Sequence, residues 1–248
     1  MAVQDSEEIL SAPESARAAD LLRLLPKTGG RALDIGARGG RFARMLSQYY
    51  QSVTALDLIK PPYTIPGVET VAGNVTALEF ADNSFDCVFC AEVLEHVPEI
   101  ERGCAEIQRV ARRDVLIGVP FRQDLRISRT TCATCGKIGA AWGHVNQFDE
   151  ARLRRLFPAL ELQTTSYIWP ARGATNALAS WLMDLGGNPW GAYDQQEPCF
   201  YCGARLIPPT SRTIGQKLSS KAADLINTVQ TAITPAKPFW IHVLFRKK

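Results

Sequence analysis

The chain has 248 residues, of which 46% are hydrophobic and 21% are charged. These proportions are ordinary for a globular protein and exclude a disordered or collagen-like chain. The net charge of +3 is too small to indicate a nucleic-acid partner, although residues 205–248 carry a balance of +7 and residues 1–204 a balance of −4. A solvated helix with a basic tail explains this asymmetry as well as an anionic partner does.

The sequence also bounds the compartment. No run approaches the roughly 18 apolar residues of a membrane-spanning helix. The opening residues include Asp5, Glu7, Glu8 and Glu14 and lack the basic-then-apolar pattern of a signal peptide. We therefore expect a cytoplasmic protein, in which the three Cys-x-x-Cys pairs among the seven cysteines indicate metal ligation more than disulfides.

Short apolar runs and stretches of helical periodicity alternate over residues 1–120, the pattern of a parallel sheet covered by helices. The predicted strands are residues 32–35, 53–58, 68–72, 85–90 and 115–119, and the predicted helices are residues 41–50 and 99–112. Strands separated by helices require right-handed crossovers. The pattern therefore predicts an α/β, Rossmann-like, doubly wound and mostly parallel sheet, which reaches seven strands with two more towards the C-terminus.

The alternation stops after Pro120. The predicted segments beyond it are an inserted excursion at 121–147, a helix and strand within 148–169, an irregular stretch at 170–210 and a helix and final strand within 211–248. The last helix, predicted from Thr213 to Ile233, has an apolar stripe along one side. We expect this stripe to pack on its own domain rather than on a membrane surface.

A glycine turn follows the first strand, in Leu33-Asp34-Ile35-Gly36-Ala37-Arg38-Gly39-Gly40-Arg41-Phe42. Glycines let the backbone approach a ligand closely, and the start of the next helix offers free N–H donors. Asp57 ends the second strand, where a carboxylate can accept both hydroxyls of a ribose. The glycine spacing does not give the Gly-x-Gly-x-x-Gly fingerprint, so NAD binding is not predicted.

These features resemble the class I S-adenosylmethionine-dependent methyltransferases, in particular those of type 11. The first motif of that family, acid-x-Gly-x-Gly-x-Gly, is matched by Asp34, Gly36 and Gly40, and its acidic second-strand end by Asp57. Further matches are Gly73-Asn74-Val75, Phe80-Ala81-Asp82-Asn83-Ser84-Phe85-Asp86 and the stretch 85–97. Two positions depart from the family: Arg38 replaces its usual middle glycine, and Asn74 its usual Asp.

The resemblance implies S-adenosylmethionine as the cofactor, with residues 1–120 as the half of the domain that binds it. The implied cofactor-binding residues are Asp34, Gly36, Ala37, Gly40, Asp57, Leu58, Asn74, Val75, Ala91 and Glu92. The implied reaction is in-line methyl transfer to a small metabolite or natural product. A methyltransferase acting on RNA or protein and a non-catalytic zinc-knuckle binding module remain alternatives, and the sequence leaves the acceptor and the oligomeric state open.

Two copies of Cys-x-x-Cys-Gly begin at Cys132 and Cys199. In such a knuckle two thiolates bind one metal ion, and the glycine permits the left-handed turn that follows. Four thiolates, from Cys132, Cys135, Cys199 and Cys202, complete a closed tetrahedral site. We therefore predict a structural zinc ion that ties the two irregular segments together, with metal-free knuckles and iron–sulfur or redox use as alternatives. Cys87 and Cys90 lie three apart on a strand and face opposite sides, so they cannot readily share a metal ion and are predicted to be core residues. Cys104, on a predicted helix, is also predicted to be a core residue.

The chain has three histidines, of which two are candidates for acid–base chemistry. His96 follows the fourth strand, in text that diverse methyltransferases share, and His144 lies in Gly143-His144-Val145-Asn146-Gln147-Phe148. The second text resembles a subset of knuckle-bearing methyltransferases in which this segment lies over the active-site mouth. We predict His144 and His96 as catalytic, with packing or zinc ligation as the alternatives for His144. His242, in the final strand, is predicted to be structural.

Overall fold

The computed structural model describes residues 11–248, and one seven-stranded sheet forms its centre. Asp5, Glu7 and Glu8, which contribute to the compartment prediction, lie outside the described residues. The strands are Arg31–Ile35 (β1), Ser52–Asp57 (β2), Val68–Ala72 (β3), Phe85–Ala91 (β4), Ala111–Pro120 (β5), Thr130–Thr131 (β6), Ile138–Gly139 (β7), Leu160–Ala171 (β8) and Lys237–Lys247 (β9). The helices are Ala12–Leu24 (α1), Arg41–Leu46 (α2), Ile100–Val110 (α3), Glu150–Leu156 (α4), Ala177–Leu185 (α5) and Ile214–Ile233 (α6).

The large sheet has the strand order β3-β2-β1-β4-β5-β9-β8. Strands β1 to β5 are parallel, and β9 runs antiparallel to both β5 and β8. The predicted Rossmann-like, mostly parallel sheet is therefore confirmed. Because the connection reverses direction between β1 and β4, the carboxyl ends of these strands border a crevice, which is where open α/β sheets bind ligands.

Strand β4 is buried along its whole length, as expected for a parallel strand covered on both faces. Cys87 packs on one face of the sheet, in the cluster that includes α1 residues, and Cys90 packs on the other. Cys104 on α3 belongs to the same cluster as Cys90, and all three side chains are fully buried. The prediction that these cysteines are core residues is confirmed.

Helix α1 was not predicted. It begins with a capping box, in which Ser11 accepts from the backbone N–H of Glu14 and the Glu14 carboxylate accepts from the backbone N–H of Ser11. Its buried face carries Asp20, whose Oδ2 lies 2.7 Å from Nδ1 of His242 on β9. His242 is fully buried, so its predicted structural role corresponds to a contact that fastens α1 to the sheet.

The two excursions hold more regular structure than expected. The first contains the β6–β7 hairpin, and its ends are joined by a bridge between Phe121 and Phe148. The second contains α5, so the prediction that residues 170–210 lack regular structure was wrong. Asn176 caps α5 by accepting from the backbone N–H of Ala179, a signal that is easily missed in a short helix.

The apolar stripe of α6 does not pack on its own domain as expected. Five of its six large side chains are 55–78% exposed, namely Ile214, Leu218, Leu225, Val229 and Ile233, and the sixth, Ile226, is partly buried. The helix instead contacts α5 through its small residues, of which Ser220 and Ala223 are buried. The approach is close at Gly186, the residue after α5, where an added Cβ would lie only 2.7 Å from the Cβ of Ser220. Among the helices of residues 11–248, none combines the length and the hydropathy needed to cross a membrane.

Candidate functional site

A cleft of about 540 Å³ opens at the carboxyl ends of β1 to β4. This volume is in the range of sites for small-molecule ligands and cofactors. The walls come from the turn after each strand, represented by Gly36, Asp57, Asn74 and Glu92. The cleft therefore lies at the crevice that the strand order predicts.

The glycine turn after β1 depends on two of its three glycines. Gly36 and Gly40 have φ values of 83° and 72°, a region that L-amino acids with side chains rarely adopt. A Cβ on Gly36 would lie 2.2 Å from Cγ2 of Val93, and one on Gly40 would lie 2.8 Å from the Tyr63 ring. Gly39 has neither constraint, since nothing lies within 4 Å of a Cβ placed there.

Asp57 holds the glycine turn in place. Its Oδ2 accepts from the backbone N–H of Arg38 at 3.0 Å, and its Oδ1 accepts from the backbone N–H of Leu58 at 2.8 Å. The Arg38 side chain is largely exposed at the cleft, with its Nη1 3.9 Å from Oε1 of Glu197. An arginine is therefore accommodated where the family has glycine, because the position needs only its backbone N–H.

Asp34 is 2% exposed, and its Oδ2 has no hydrogen-bond partner among residues 11–248. Desolvation, followed by the charge of Asp57, raises the pKa of Asp34 to about 8. A buried carboxyl without a partner is unfavourable unless a ligand supplies one. The orphaned oxygen and the close-packed Gly36 cradle both suit a ligand whose cationic end sits beside the turn.

Asn74 forms a local turn with its own side chain. Its Oδ1 accepts from both the backbone N–H and the hydroxyl of Thr76, each at 3.0 Å. A carbonyl oxygen has two lone pairs, so both are engaged. The group that Asn74 offers to the cleft is therefore its NH₂.

The four knuckle cysteines converge on one point. The Sγ atoms of Cys132 and Cys202 are 3.7 Å apart, as are those of Cys135 and Cys199, and all four lie within 4.8 Å of one another. Sulfurs about 2.3 Å from a tetrahedral zinc ion stand about 3.8 Å apart. The glycines after each knuckle, Gly136 and Gly203, have φ values of 68° and 70°. The donor set and its spacing therefore fit a tetrahedral zinc ion.

His96 and His144 meet at the rim of the cleft. Their ring centroids are 4.6 Å apart in an edge-to-face arrangement, and His96 lines the cleft directly. Burial, with a smaller effect of His96, lowers the pKa of His144 to about 4. Burial also lowers the pKa of His96. Both imidazoles are therefore uncharged near pH 7.

Comparison with known proteins agrees with this geometry. The methyltransferase domain model Methyltransf_11 matches residues 33–118, from β1 to the end of β5. This stretch has the sequence of a methyltransferase domain. The match includes all ten residues predicted to bind the cofactor, and the cleft lies within it apart from Glu197.

Several curated relatives of this methyltransferase domain are known. A ubiquinone biosynthesis O-methyltransferase of Xanthomonas axonopodis pv. citri is 28% identical over 182 residues, covering 65% of this chain and 64% of its own length. A demethylmenaquinone methyltransferase of Renibacterium salmoninarum is 35% identical over 89 residues, covering 34% of this chain and 38% of its own length. This chain thus spans less than two thirds of either relative.

Solved structures share the fold over nearly the whole chain. An S-adenosylmethionine-dependent methyltransferase from Mesorhizobium loti has a TM-score of 0.54 at 14% identity, covering 94% of this chain and 98% of that one. The N-methyltransferase NodS of Bradyrhizobium japonicum, solved with S-adenosylhomocysteine, has a TM-score of 0.53 at 15% identity, covering 99% and 93%. The fold of the methyltransferase domain thus extends through β8 and β9.

The structure places the predicted cofactor residues in two groups. Six of the ten line the cleft: Gly36, Asp57, Leu58, Asn74, Val75 and Glu92. The other four lie behind it: Asp34, Ala37, Gly40 and Ala91. Of this second group, Gly40 precedes α2 and Ala37 accepts from the Tyr63 hydroxyl at 2.8 Å, so both shape the turn rather than face the cleft.

Sequence reasoning missed two acidic residues at the site. Glu197 lines the cleft although it belongs to the second excursion, two residues before Cys199. Glu95 is fully buried beside His96 and His144. The knuckle could have pointed to Glu197, since a shared metal site brings its flanking residues back to the first excursion, whereas Glu95 reads in sequence as an ordinary exposed acid.

The raised pKa of Asp34 predicts a pH-dependent stability. The pKa of Asp34 in the folded protein, about 8, exceeds the ordinary value of 3.8. The contribution of Asp34 to the free energy of unfolding is therefore full below pH 3.8 and is lost as the pH rises to about 8. Asp34→Asn removes the buried charge. We expect the melting temperature of this variant, taken relative to the wild type, to be at least about 2–4 °C higher at pH 8.5 than at pH 4.5, the equivalent of about 1 kcal/mol. Thermal denaturation of the ligand-free protein tests this, and a gap independent of pH would contradict it.

Proposed function

We propose that this protein transfers the methyl group of S-adenosylmethionine to a small-molecule acceptor. The observation that carries the proposal is the cleft at the β1–β4 crevice, where the Gly36 turn, Asp57 and His96 line one volume and the His144 ring packs against His96. The quinone-pathway names of two relatives support an acceptor of metabolite size. A methyl transfer from sulfur is an in-line displacement, so positioning the acceptor is the main task of the protein.

The residues around the cleft divide the cofactor between them. We assign the methionine end to Gly36 and the buried Asp34, and the ribose hydroxyls to Asp57, which gives up its bond to Arg38 or shares it. Asn74 and Val75 border the adenine position, with the Asn74 NH₂ as donor. Glu92 and Ala91 end β4 beneath the transferring methyl. Glu92 is held there by Arg17 of α1, with Nη1 3.1 Å from its Oε2.

His96 and His144 stand where an acceptor would enter. A neutral imidazole can take a proton or accept a hydrogen bond from an acceptor hydroxyl, and both imidazoles are neutral near pH 7. We therefore propose that this pair activates and positions the acceptor. His242 lies on β9 against Asp20 of α1 and does not line the cleft, so we assign it a structural role.

We further propose that the four knuckle cysteines hold a structural zinc ion. A Cys₄ site has no open position, so its function is to fix the two excursions against each other. Thiols kept for a metal suit a reducing compartment, which supports a cytoplasmic location.

Calorimetric titration with S-adenosylhomocysteine tests the proposed function. We expect one binding event per chain. Asp57→Ala removes the charged acceptor for the ribose hydroxyls, and hydrogen bonds to charged groups contribute about 1.5–3 kcal/mol, so its affinity should fall at least tenfold.

Asp82→Asn is the matched control, because Asp82 is an exposed acid outside the cleft that pairs with Arg109. Its affinity for S-adenosylhomocysteine should equal that of the wild type. Absence of detectable heat for the wild type at millimolar ligand would overturn the assignment and favour the non-catalytic binding module.

A further inference from the structure

Three side chains at the rim of the cleft form a compact donor set. Glu95, His96 and His144 each place one ligand atom within 4.8 Å of the other two. Glu95 and His96 belong to the 3-10 turn after β4, whereas His144 comes from the first excursion. The cluster therefore depends on the tertiary fold, and it is separate from the four knuckle cysteines.

Glu95 is unusual for a charged residue. Its side chain is fully buried, and neither carboxylate oxygen has a hydrogen-bond partner among residues 11–248. Buried carboxylates are normally paired or coordinate a metal ion, because an isolated buried charge is strongly unfavourable. The two carboxylate oxygens of Glu95 therefore lie without a partner beside two imidazoles, an arrangement that a bound cation would stabilise.

His144 is oriented as a ligand. Its Nδ1 lies 2.5 Å from Oε1 of Gln123, and an amide oxygen can only accept a hydrogen bond. Nδ1 therefore carries the proton, and Nε2 keeps its lone pair. Metal-binding histidines commonly donate their other ring N–H to a carbonyl or carboxylate in this way.

The backbone locks the two halves of the cluster together. The carbonyl oxygen of Glu95 accepts from the N–H groups of Val145 and Asn146, at 2.8 and 3.2 Å. The Asn146 side-chain amide donates to the carbonyl oxygens of Leu94 and Val97, at 3.1 and 2.7 Å. The excursion is thus fastened to the turn on both sides of the donor set, as expected for a preorganised site.

We propose that Glu95, His96 and His144 bind one divalent cation of the first transition row. Two imidazole nitrogens and one carboxylate oxygen suit such ions, and three protein ligands leave coordination positions open. Because His96 lines the cleft, the open positions face the place of the acceptor. This site deepens the proposed function, on which it rests: the histidine pair acts on the acceptor through the cation, and the acceptor atom is an oxygen.

The cation would lower the pKa of a coordinated hydroxyl, as it does for bound water. The hydroxyl proton passes to solvent, and the resulting oxygen anion attacks the methyl carbon of the sulfonium. The new bond joins oxygen to carbon, and the electron pair of the broken sulfur–carbon bond stays on sulfur as S-adenosylhomocysteine. The substrate class is therefore a small molecule with an ionisable hydroxyl, such as a phenol.

Binding of Mn²⁺ to the full-length protein carrying one zinc ion per chain, held by the four cysteines, tests the site. Mn²⁺ prefers nitrogen and oxygen donors to thiolates, so it leaves the four-cysteine site occupied by zinc. Electron paramagnetic resonance follows the loss of the free Mn²⁺ signal. We expect about one Mn²⁺ per chain, and at least tenfold weaker binding in both Glu95→Gln and His144→Gln.

Glu99→Gln is the matched control, since Glu99 is an acid on the wall of the same cleft but outside the donor set. It should bind Mn²⁺ as the wild type does. Circular dichroism and S-adenosylhomocysteine affinity establish that the two ligand variants fold. Wild-type protein that binds S-adenosylhomocysteine but not Mn²⁺ at 1 mM overturns the cation site alone, as does equal Mn²⁺ binding in folded Glu95→Gln, whereas failure to bind S-adenosylhomocysteine overturns the proposed function.

Discussion

Cys199→Ser protein is expected to purify without zinc at the four-cysteine site and with both excursions open to proteases. Cys199 is 5% exposed and belongs to a small cluster with Cys132 and Leu206, which is separate from the main cores. So few buried groups cannot hold two irregular segments without the metal, whose binding in small zinc domains contributes about 10–16 kcal/mol. Metal analysis should show about one zinc per chain fewer than in the wild type. Limited proteolysis should cleave within 121–147 or 170–210 and spare the sheet.

Cys104→Ala is the matched control for the zinc experiment. Cys104 is also a buried thiol, but it lies in the core beside α3. This variant should keep its zinc and its resistance to cleavage in the excursions, with a lower melting temperature because of the cavity it creates. Zinc retained by Cys199→Ser at wild-type stoichiometry would contradict a shared site.

Gly36→Ala is expected to destabilise the protein and to weaken cofactor binding. The residue has φ near 83°, and a left-handed conformation costs about 1–3 kcal/mol for a residue other than glycine. The added methyl group would also lie 2.2 Å from Cγ2 of Val93, at the wall of the cleft. Thermal denaturation should show a melting temperature lower by several degrees, and calorimetry should show S-adenosylhomocysteine bound at least tenfold more weakly.

Gly39→Ala separates this effect from a general intolerance of the turn. Gly39 lies in the same turn, lacks a positive φ and has open space around its Cα. Its variant should match the wild type in stability within about 0.5 kcal/mol and in affinity for S-adenosylhomocysteine. Equal losses of stability and affinity in the two variants would contradict the assignment of the effect to the left-handed backbone at Gly36.

The methyltransferase half of the fold was predictable because its signals are local. Strands β1, β4 and β5 are buried on both faces and therefore appear in the sequence as continuous apolar runs. The glycine turn after β1 indicates the crevice beside them. Helix α1 carried a readable signal in its capping box, but its apolar residues form a weaker stripe along one side than those of α3 do. Helix α5 is short, and Trp181 and Leu185 on it are 56% and 49% exposed, so its apolar residues do not mark a buried face.

The site was predictable only where one motif supplied it. Asp57 and Gly36 follow from the strand–turn pattern, and the four cysteines follow from their spacing. The position of Glu197 depends on how the second excursion returns, and the burial of Glu95 depends on its cover by residues 144–146. Neither is encoded in neighbouring residues. The exposed stripe of α6 is the reverse case, since periodicity reports that a helix has an apolar side but not that another surface covers it.

The knuckle and the cofactor cleft share a short stretch of chain. Glu197 faces the cleft and approaches Arg38 of the glycine turn, while Cys199, two residues later, contributes to the sulfur cluster. A ligand in either place therefore restricts the same few backbone dihedrals. By thermodynamic linkage, any gain in cofactor affinity that zinc produces must be returned as an equal gain in zinc affinity when the cofactor binds. The four cysteines, far from the chemistry in sequence, are thus placed to set how tightly the cofactor is held.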